Sequence, residues 1–566
     1  MTQHEKQRPE DSTGNVGVVE VRATIDVRPT RRIGRIDPNI YGHFLESAFF
    51  GNIEGGVFEE GSALSYGGSD VRSGLRQDVI ELCRELGLPV VRWPGGNFTS
   101  PYHWEDGIGP RDARPRRLEL AWGSEETNRF GTDEFLAWCA EVGTEPYLAH
   151  SCRNVDDAVR WVEYTNYGGD TDYTRRRASN GHPDPYRVQF WGLGNEVYGP
   201  WQMGHRSAER YAADAREHAR FMRTVDPLLR FIAVGANRED WTRAVLAGVG
   251  RMSEFISLHL YGASNHLHGA DQRSEYEAVV AQSVFVEQQV HSYARMVAEL
   301  STELGLEQPP AISMDEWNMR HLEPASWSEP QPSADGSFVP RPEQQQGSDG
   351  DGGGPNRLRV NRYSPRTLAD ALFYAGVFHA LHRASGLPAA PRMANTVNLL
   401  NANGVIVARP SGALRAATFH VWDLYQNHTG STAVEAEVRG PSRTTMVRQG
   451  DDRNRQGGFA TLPATVADLD VSATLTEDGR SLRLAVINRS ADRAVRSRIM
   501  IDGGSRSVPR EVEVRSLGAD TDELFGGNTM ADPDRVATRV HGRRVLDDGV
   551  YAFEPHSITL LSLDLS

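Results

Sequence analysis

Between Val18 and Val27 apolar and polar residues alternate: Val19, Val21, Ala23, Ile25 and Val27 fall on one side, and Glu20, Arg22, Thr24 and Asp26 on the other. A period of two predicts a half-buried strand. From Ile36 the rhythm changes to short apolar runs separated by helical patterns. The runs are LPVVRW, EPYLAHS, RVQFWGLGNE, RFIAVGA, EFISLHLYG, PAISMDEW and RMANTVNLL. Between them, Leu75, Val79, Leu82, Cys83 and Leu86 share one helix face, as do Tyr211, Ala215 and Met222, and Leu368, Ala371, Leu372 and Ala375. Another helix is expected to begin at Thr132 as N-cap, with Asp133 and Glu134 in its first turn, and to stop at Gly143. With an early strand near NIYGHFLE, the count reaches about eight βα units, which predicts a (β/α)₈ TIM barrel. An open doubly wound sheet is the alternative, but no GxGxxG follows the first strand.

The barrel is expected over residues 36–403 and a C-terminal antiparallel β-sandwich, jelly-roll-like, over 404–566. In the latter, SLRLAVINRS, SRIMID, EVEVRS and ITLLSLDLS read as strands, with Leu561, Leu563 and Leu565 alternating with Ser562 and Asp564. The first strand, within 18–35, has no barrel role and is assigned to the sandwich sheet. Residues 1–17 read as a disordered tail, and 328–356, rich in Gly, Pro, Ser and Gln, as a long flexible loop.

Composition narrows the function. Of 566 residues, 39% are hydrophobic and 24% charged, the balance of a soluble globular protein. A formal net charge of −15 argues against nucleic-acid and anionic-membrane partners, which need clustered cations; Lys6 is the sole lysine. Cys83, Cys139 and Cys152 form no ligand or disulfide pattern. The polar N-terminus lacks the apolar core of a signal peptide, and no apolar run spans a bilayer, so a cytoplasmic location is expected. No HExxH or P-loop occurs, and neither metal nor cofactor is expected.

In a barrel the C-terminal strand ends carry the chemistry. Glu196 ends the expected fourth strand and Glu316 the seventh. Two carboxylates facing one cleft can hydrolyse a glycoside: one protonates the leaving oxygen, the other attacks the anomeric carbon or activates water. Trp93, Trp191 and Trp317 adjoin these ends, as faces for sugars or as core.

The motifs IYGHFLES, VVRWPGGNFTSPYHWEDGIGP, RFGTDEFL, WGLGNE and MDEWNM, in this order, resemble the α-L-arabinofuranosidases of glycoside hydrolase family 51. The likeness runs from Asp37 to Tyr425, where TFHVWDLY resembles the passage into the family's sandwich. The resemblance implies that Glu196 is the acid/base and Glu316 the nucleophile, with carboxyls about 5–5.5 Å apart, the retaining spacing. Glu196 would then hold a proton near neutrality, its pKa raised by burial or by Glu316. It implies that Asn195 donates to the sugar 2-hydroxyl, that Glu46 and Asn97 grip other hydroxyls, and that Tyr261 hydrogen-bonds the nucleophile. Arg92 would keep Glu316 ionised, His259 would lie beside the pair, and Trp122 would line the entrance. From the residues alone, Glu46 has a second reading as a helix cap, and Tyr261 and His259 are equally core polar groups. One departure stands: LRAATFHVW offers no counterpart of the family's late-barrel Gln.

The resemblance therefore implies an exo-acting retaining α-L-arabinofuranosidase on arabinofuranosyl oligosaccharides, assembled as a homo-oligomer, a hexamer by family likeness. The same machinery on another glycoside (a β-xyloside or a β-glucan) and a non-catalytic sugar-binding barrel are the alternatives.

Overall fold

A computed structural model describes residues 21–269, 271–324, 358–450, 459–519 and 523–566. The expected tail 1–17 and loop 328–356 lie outside the described residues, as does the start of the first strand.

Eight parallel strands close a barrel: β2 (Gly42–Phe44), β3 (Val90–Trp93), β4 (Glu145–His150), β5 (Phe190–Leu193), β6 (Arg230–Ala233), β7 (Ser253–Ser264), β8 (Ala311–Pro324) and β9 (Pro391–Thr396). They pair in chain order, with β8 lying between β7 and β9 and β9 returning to β2. The barrel interior is filled at its lower end by Val90, Tyr147, Phe190, Ile232, Phe255, Ala311 and Met393, alternate residues of successive strands. Each large apolar side chain so buried is worth about 1.5–3 kcal/mol.

The helices follow the predicted faces. Helix α1 (Gln77–Leu86) buries Val79, Leu82, Cys83 and Leu86 and ends at Gly87, whose φ of 68° suits a residue without Cβ. Helix α2 (Thr132–Val142) starts one residue earlier than expected: Gly131, not Thr132, is the N-cap, and Glu134 accepts from its N–H at 2.8 Å. Helices α3 (Val155–Asn166), α4 (Asp172–Ser179), α5 (Ala208–Val225), α6 (Glu239–Val249), α7 (Gln272–Glu303), α8 (Leu368–Ala384) and α9 (Phe419–Gln426) complete the set. Because Trp422 of α9 stacks on Trp317 and donates to the Tyr41 carbonyl at 3.1 Å, the last barrel helix lies beyond residue 403.

One local irregularity decides where the site lies. Ser313, Met314, Asp315, Glu316 and Trp317 would alternate in a regular strand, placing Asp315 and Glu316 on opposite faces. Instead the pairing of β8 with β7 shifts between Ser313 and Glu316, and that with β9 between Met314 and Trp317. The bulge turns both carboxylates inward and Trp317 outward, against Tyr374, Phe378 and Trp422. Trp93, Trp191 and Trp317 are thus core residues, at most 1% exposed, and offer no face to a sugar.

The second region uses β1 (Val21–Arg35) and the strands from β10 (Thr432–Arg439) through β11 (Ser442–Arg448), β12 (Thr461–Ala467), β13 (Leu469–Leu475), β14 (Ser481–Asn488), β15 (Val495–Ile501), β16 (Glu511–Ala519), β17 (Val536–Val545), β18 (Val550–Phe553) and β19 (Ser557–Asp564). Nine of them form one continuous sheet, β17-β16-β19-β14-β13-β10-β1-β15-β18. Ile25, Val486, Ile499, Val514 and Leu561, from strands far apart in that order, share one apolar cluster, so the sheet folds over its own core. The sheet is not wholly antiparallel: β1 runs parallel to β15 and antiparallel to β10. The separate β11–β12 hairpin reaches back to the barrel. Arg448 donates to the Ala263 carbonyl at 3.0 Å and clasps Glu275 at 2.6 Å, bracing the end of β7. Among the described residues no helix is long and apolar enough to cross a membrane.

Candidate active site

Glu196 follows the end of β5 with a φ of 44°, a left-handed backbone that turns its carboxylate over the barrel mouth. Glu316 faces it from the bulge in β8. A carboxylate oxygen of each, together with His259 Nδ1, lie within 4.8 Å of one another. The same three groups could ligate a divalent cation.

The two carboxylates differ in their partners. Glu316 Oε1 accepts from Arg92 Nη1 at 3.0 Å, and Oε2 from the Tyr261 hydroxyl at 2.7 Å. Burial alone would lower the Arg92 pKa, but the Tyr147 phenol and the carboxylates of Glu316 and Asp315 outweigh it and hold the guanidinium charged. Burial and then the Glu316 charge push the Tyr261 phenol well above its ordinary range, so it stays a donor. Glu196 Oε1 faces His259 Nδ1 at 2.8 Å and the Tyr198 hydroxyl at 3.4 Å, while Oε2 accepts from Trp201 Nε1 at 2.8 Å.

The expectation that Glu196 has a raised pKa is overturned. Burial pushes it up, but the hydrogen bond and charge of His259, then the Trp201 N–H and Arg320, draw it below the carboxylate range. His259 moves the other way: burial lowers it, but Glu316 and Glu196 raise it above the ordinary imidazole value. The two groups thus shift in opposite directions and face each other across a single 2.8 Å contact.

Around this pair, Asn195 Oδ1 accepts from Arg92 Nη2 at 2.7 Å, leaving its buried Nδ2 without a protein partner. Glu46 Oε1 accepts three bonds, from the Gly96 and Phe98 amides at 3.1 and 2.9 Å and from Trp122 Nε1 at 3.2 Å. Burial, and to a lesser degree Glu316, push Glu46 up to about 8, so at neutral pH it is largely a neutral acid whose Oε2 is left to bond elsewhere. The glycine pair after β3 makes this packing feasible. A Cβ on Gly95, at φ 147°, would sit 2.3 Å from Glu46 Cγ, and one on Gly96 would sit 2.8 Å from Glu316 Oε1.

One predicted residue is placed differently from its expected role. Trp122 does not line the entrance: it is 6% exposed, wedged edge-on against Phe49 and Phe50, and serves Glu46 from behind. Asn97 is tied in through its carbonyl, which accepts from Gln202 Nε2 at 3.4 Å.

Two family models match the chain, an α-L-arabinofuranosidase 1 domain over residues 82–279 and an α-L-arabinofuranosidase C-terminal domain over 315–557. A probable α-L-arabinofuranosidase C of Aspergillus clavatus is 33% identical over 564 residues, covering 95% of this chain and 96% of the relative. The chain belongs to the α-L-arabinofuranosidases of glycoside hydrolase family 51. An intracellular exo-α-(1→5)-L-arabinofuranosidase of Streptomyces lividans is 32% identical, covering 95% of this chain and 74% of that relative. The solved family 51 α-L-arabinofuranosidase of Thermotoga petrophila superposes with a TM-score of 0.78 at 31% identity, over 96% of this chain and all of that one.

Within this arabinofuranosidase scaffold, sequence reasoning missed several neighbours of the pair. Tyr198, Trp201 and Gln202 lie in the turn directly after Glu196, and an aromatic in a Gly-Pro-Trp turn was signal enough to notice. Tyr147 and Asp315, joined at 3.0 Å beneath Glu316, gave no local signal, because a strand Tyr and a bulged Asp read as ordinary core polar residues.

Proposed function

We propose that this chain hydrolyses terminal α-L-arabinofuranosides with retention, Glu316 acting as nucleophile and Glu196 as acid/base. The observation that carries the assignment is the approach of two opposed carboxylates to within 4.8 Å, one held by Arg92 and Tyr261, the other by His259. That spacing suits a covalent intermediate and leaves too little room for a water between the carboxyls, as inversion requires. Glu316 attacks the anomeric carbon and forms a β-configured ester. The proton held by the His259–Glu196 pair passes through Glu196 to the departing oxygen. Glu196 then takes a proton from water, which displaces Glu316 and restores the α configuration. Asn195 Nδ2 donates to the 2-hydroxyl, a bond that strengthens as positive charge develops on the ring. Glu46 meets another hydroxyl through Oε2, with Asn97 beside it; Arg92 fixes the Glu316 carboxylate through their 3.0 Å ion pair.

The substrate is an arabino-oligosaccharide or arabinose-bearing polysaccharide, in keeping with the exo-(1→5) activity named for the Streptomyces relative. That relative's intracellular naming also supports a cytoplasmic location, and family likeness supports a homo-oligomer; fractionation and light scattering check both. The decisive assay compares aryl α-L-arabinofuranoside with aryl β-xyloside and β-glucoside, with Glu196→Ala and Glu316→Ala as controls. Azide should give the α-arabinofuranosyl azide with Glu196→Ala and the β-azide with Glu316→Ala. The opposite pairing would exchange the roles, and wild-type rates in both variants would remove the pair from the reaction.

A further inference from the structure

We infer that Arg448, carried by the β11–β12 hairpin, is a positioning residue for the nucleophile: by holding the free edge of β7 it fixes Tyr261, and through Tyr261 the Glu316 carboxylate. The inference rests on the glycosidase reading above, in which Glu316 attacks the anomeric carbon.

The need for such a residue comes from the uneven ends of the barrel strands. β6 stops at Ala233, which pairs with Ile256 of β7. β7 continues to Ser264, and from Ser257 onward β8 is its only strand neighbour among the described residues. This overhang carries two side chains that meet the carboxylates, His259 at 2.8 Å from Glu196 and Tyr261 at 2.7 Å from Glu316. A strand paired along one edge leaves backbone groups on the other that must find partners elsewhere.

Side chains supply them. Near the foot of the overhang, Tyr293 of α7 donates to the Ser257 carbonyl at 3.1 Å. At the tip, Gln282 of the same helix stands in for a strand. Its Oε1 accepts from the Ala263 N–H at 2.9 Å, and its Nε2 donates to the Ala263 carbonyl at 2.8 Å. Arg448 Nη1 adds a second bond to that carbonyl at 3.0 Å. Arg448 is itself held fast: Nη1 and Nη2 clasp Glu275 Oε1 and Oε2 at 2.7 and 2.6 Å. Its guanidinium lies 4.8 Å from the centroid of the Phe459 ring, which packs on Ala263 and Leu322. Glu275 Oε1 also accepts from the Asn265 N–H at 2.7 Å, so the same ion pair grips the chain as it leaves β7. Gly450, two residues beyond Arg448, passes over the Tyr261 carbonyl: a Cβ there would lie 3.4 Å from it.

The sandwich region thus reaches the catalytic barrel at a backbone point two residues from Tyr261. The Arg448 and Glu275 side chains are only 13% and 8% exposed, so removing one partner strands the charge of the other. The tip of β7 then shifts to bring that charge to water. A displacement of about 1 Å at the Tyr261 hydroxyl is enough to break its bond to the nucleophile.

The test measures kcat and KM on α-1,5-linked arabinotriose for wild type, Arg448→Met, Arg448→Lys, Tyr261→Phe and the double variant, with a melting curve for each. Arg448→Met should lower kcat by about tenfold or more with KM little changed, and Arg448→Lys, which keeps a charge and a donor, should recover most of that loss. The deciding readout is coupling. In the Tyr261→Phe background Arg448→Met should cost less than about threefold, because the bond it sets is already gone. Losses that multiply in the double variant, or a folded Arg448→Met with wild-type kcat, would overturn the assignment. If Arg448→Met does not fold, Glu275→Gln goes through the same cycle and is judged by the same two outcomes. Wild-type enzyme inactive on arabinotriose would instead overturn the glycosidase reading, a failure distinct from an active enzyme indifferent to Arg448.

Discussion

His259→Asn keeps a side-chain N–H near the position of Nδ1 and removes the imidazole that can carry the proton. In the native pair Nδ1 stands 2.8 Å from Glu196 Oε1, with Glu196 drawn below the carboxylate range and His259 raised above its ordinary 6.5. Opposite charges centred about 4 Å apart at an effective dielectric near 20 interact by about 4 kcal/mol, close to three pKa units. A pair coupled that strongly titrates as one unit. The alkaline limb of kcat/KM for arabinotriose then reports loss of the shared proton, and it lies above the ordinary imidazole value because His259 is raised. Charge from Glu316, Arg92 and Arg320 around the pair is unchanged by the substitution. In the variant the proton can reside only on Glu196, whose anion still receives the Asn N–H, so the limb should move to lower pH by roughly one to three units. The assay is kcat/KM from pH 4 to 9, with arabinofuranosyl fluoride as the substrate that needs little protonation. An alkaline limb that stays in place or moves upward for arabinotriose would refute a proton stored on His259.

Tyr261→Phe removes the 2.7 Å bond to Glu316; a hydrogen bond to a charged group is worth about 1.5–3 kcal/mol, so single-turnover glycosylation should slow roughly 10- to 150-fold with melting temperature little changed. Gly96→Ala should depress kcat at least tenfold on every arabinofuranoside, since its Cβ meets Glu316 Oε1 at 2.8 Å, and a crystal structure of the variant should show that carboxylate displaced. Zinc ions should inhibit competitively through Glu196, His259 and Glu316, and His259→Asn should weaken that inhibition, both read from initial rates. Burial pushes Glu119 up to about 7, which favours the folded state below the ordinary carboxylate pKa and is lost as pH rises through about 7. Melting curves of Glu119→Gln should therefore fall less steeply than wild type between pH 5 and 8.

The motif residues were legible because their chemistry is local: Asn195-Glu196 after an apolar strand, the Trp-Pro-Gly-Gly run, and the Asp-Glu-Trp triplet each sit where a barrel delivers side chains. What stayed hidden depended on partners remote in the chain. The charge state of Glu196 is set by His259, 63 residues away, so no reading of the WGLGNE strand could show it. The inward turn of both Asp315 and Glu316 requires a bulge, which strict alternation cannot encode. Trp93, Trp191 and Trp317 read equally as sugar faces or as core, because exposure is not written in the local sequence: all three went to the core, and Trp201 to the mouth. The parallel neighbour of β1 was invisible for the same reason, since pairing direction is a property of where the chain returns.

That first strand also imposes a schedule on biosynthesis. Arg31 of β1 meets Glu435 of β10 across 404 positions of sequence. At about 5–20 residues per second on the ribosome, β1 waits roughly 20–80 seconds for its partners. Throughout that interval the entire barrel is made while an alternating, β-prone segment has both edges unpaired, a template for mispairing with neighbouring nascent chains. Charged residues on its outward face, Asp26 and Arg28 among them, keep that waiting ribbon charged until its sheet arrives.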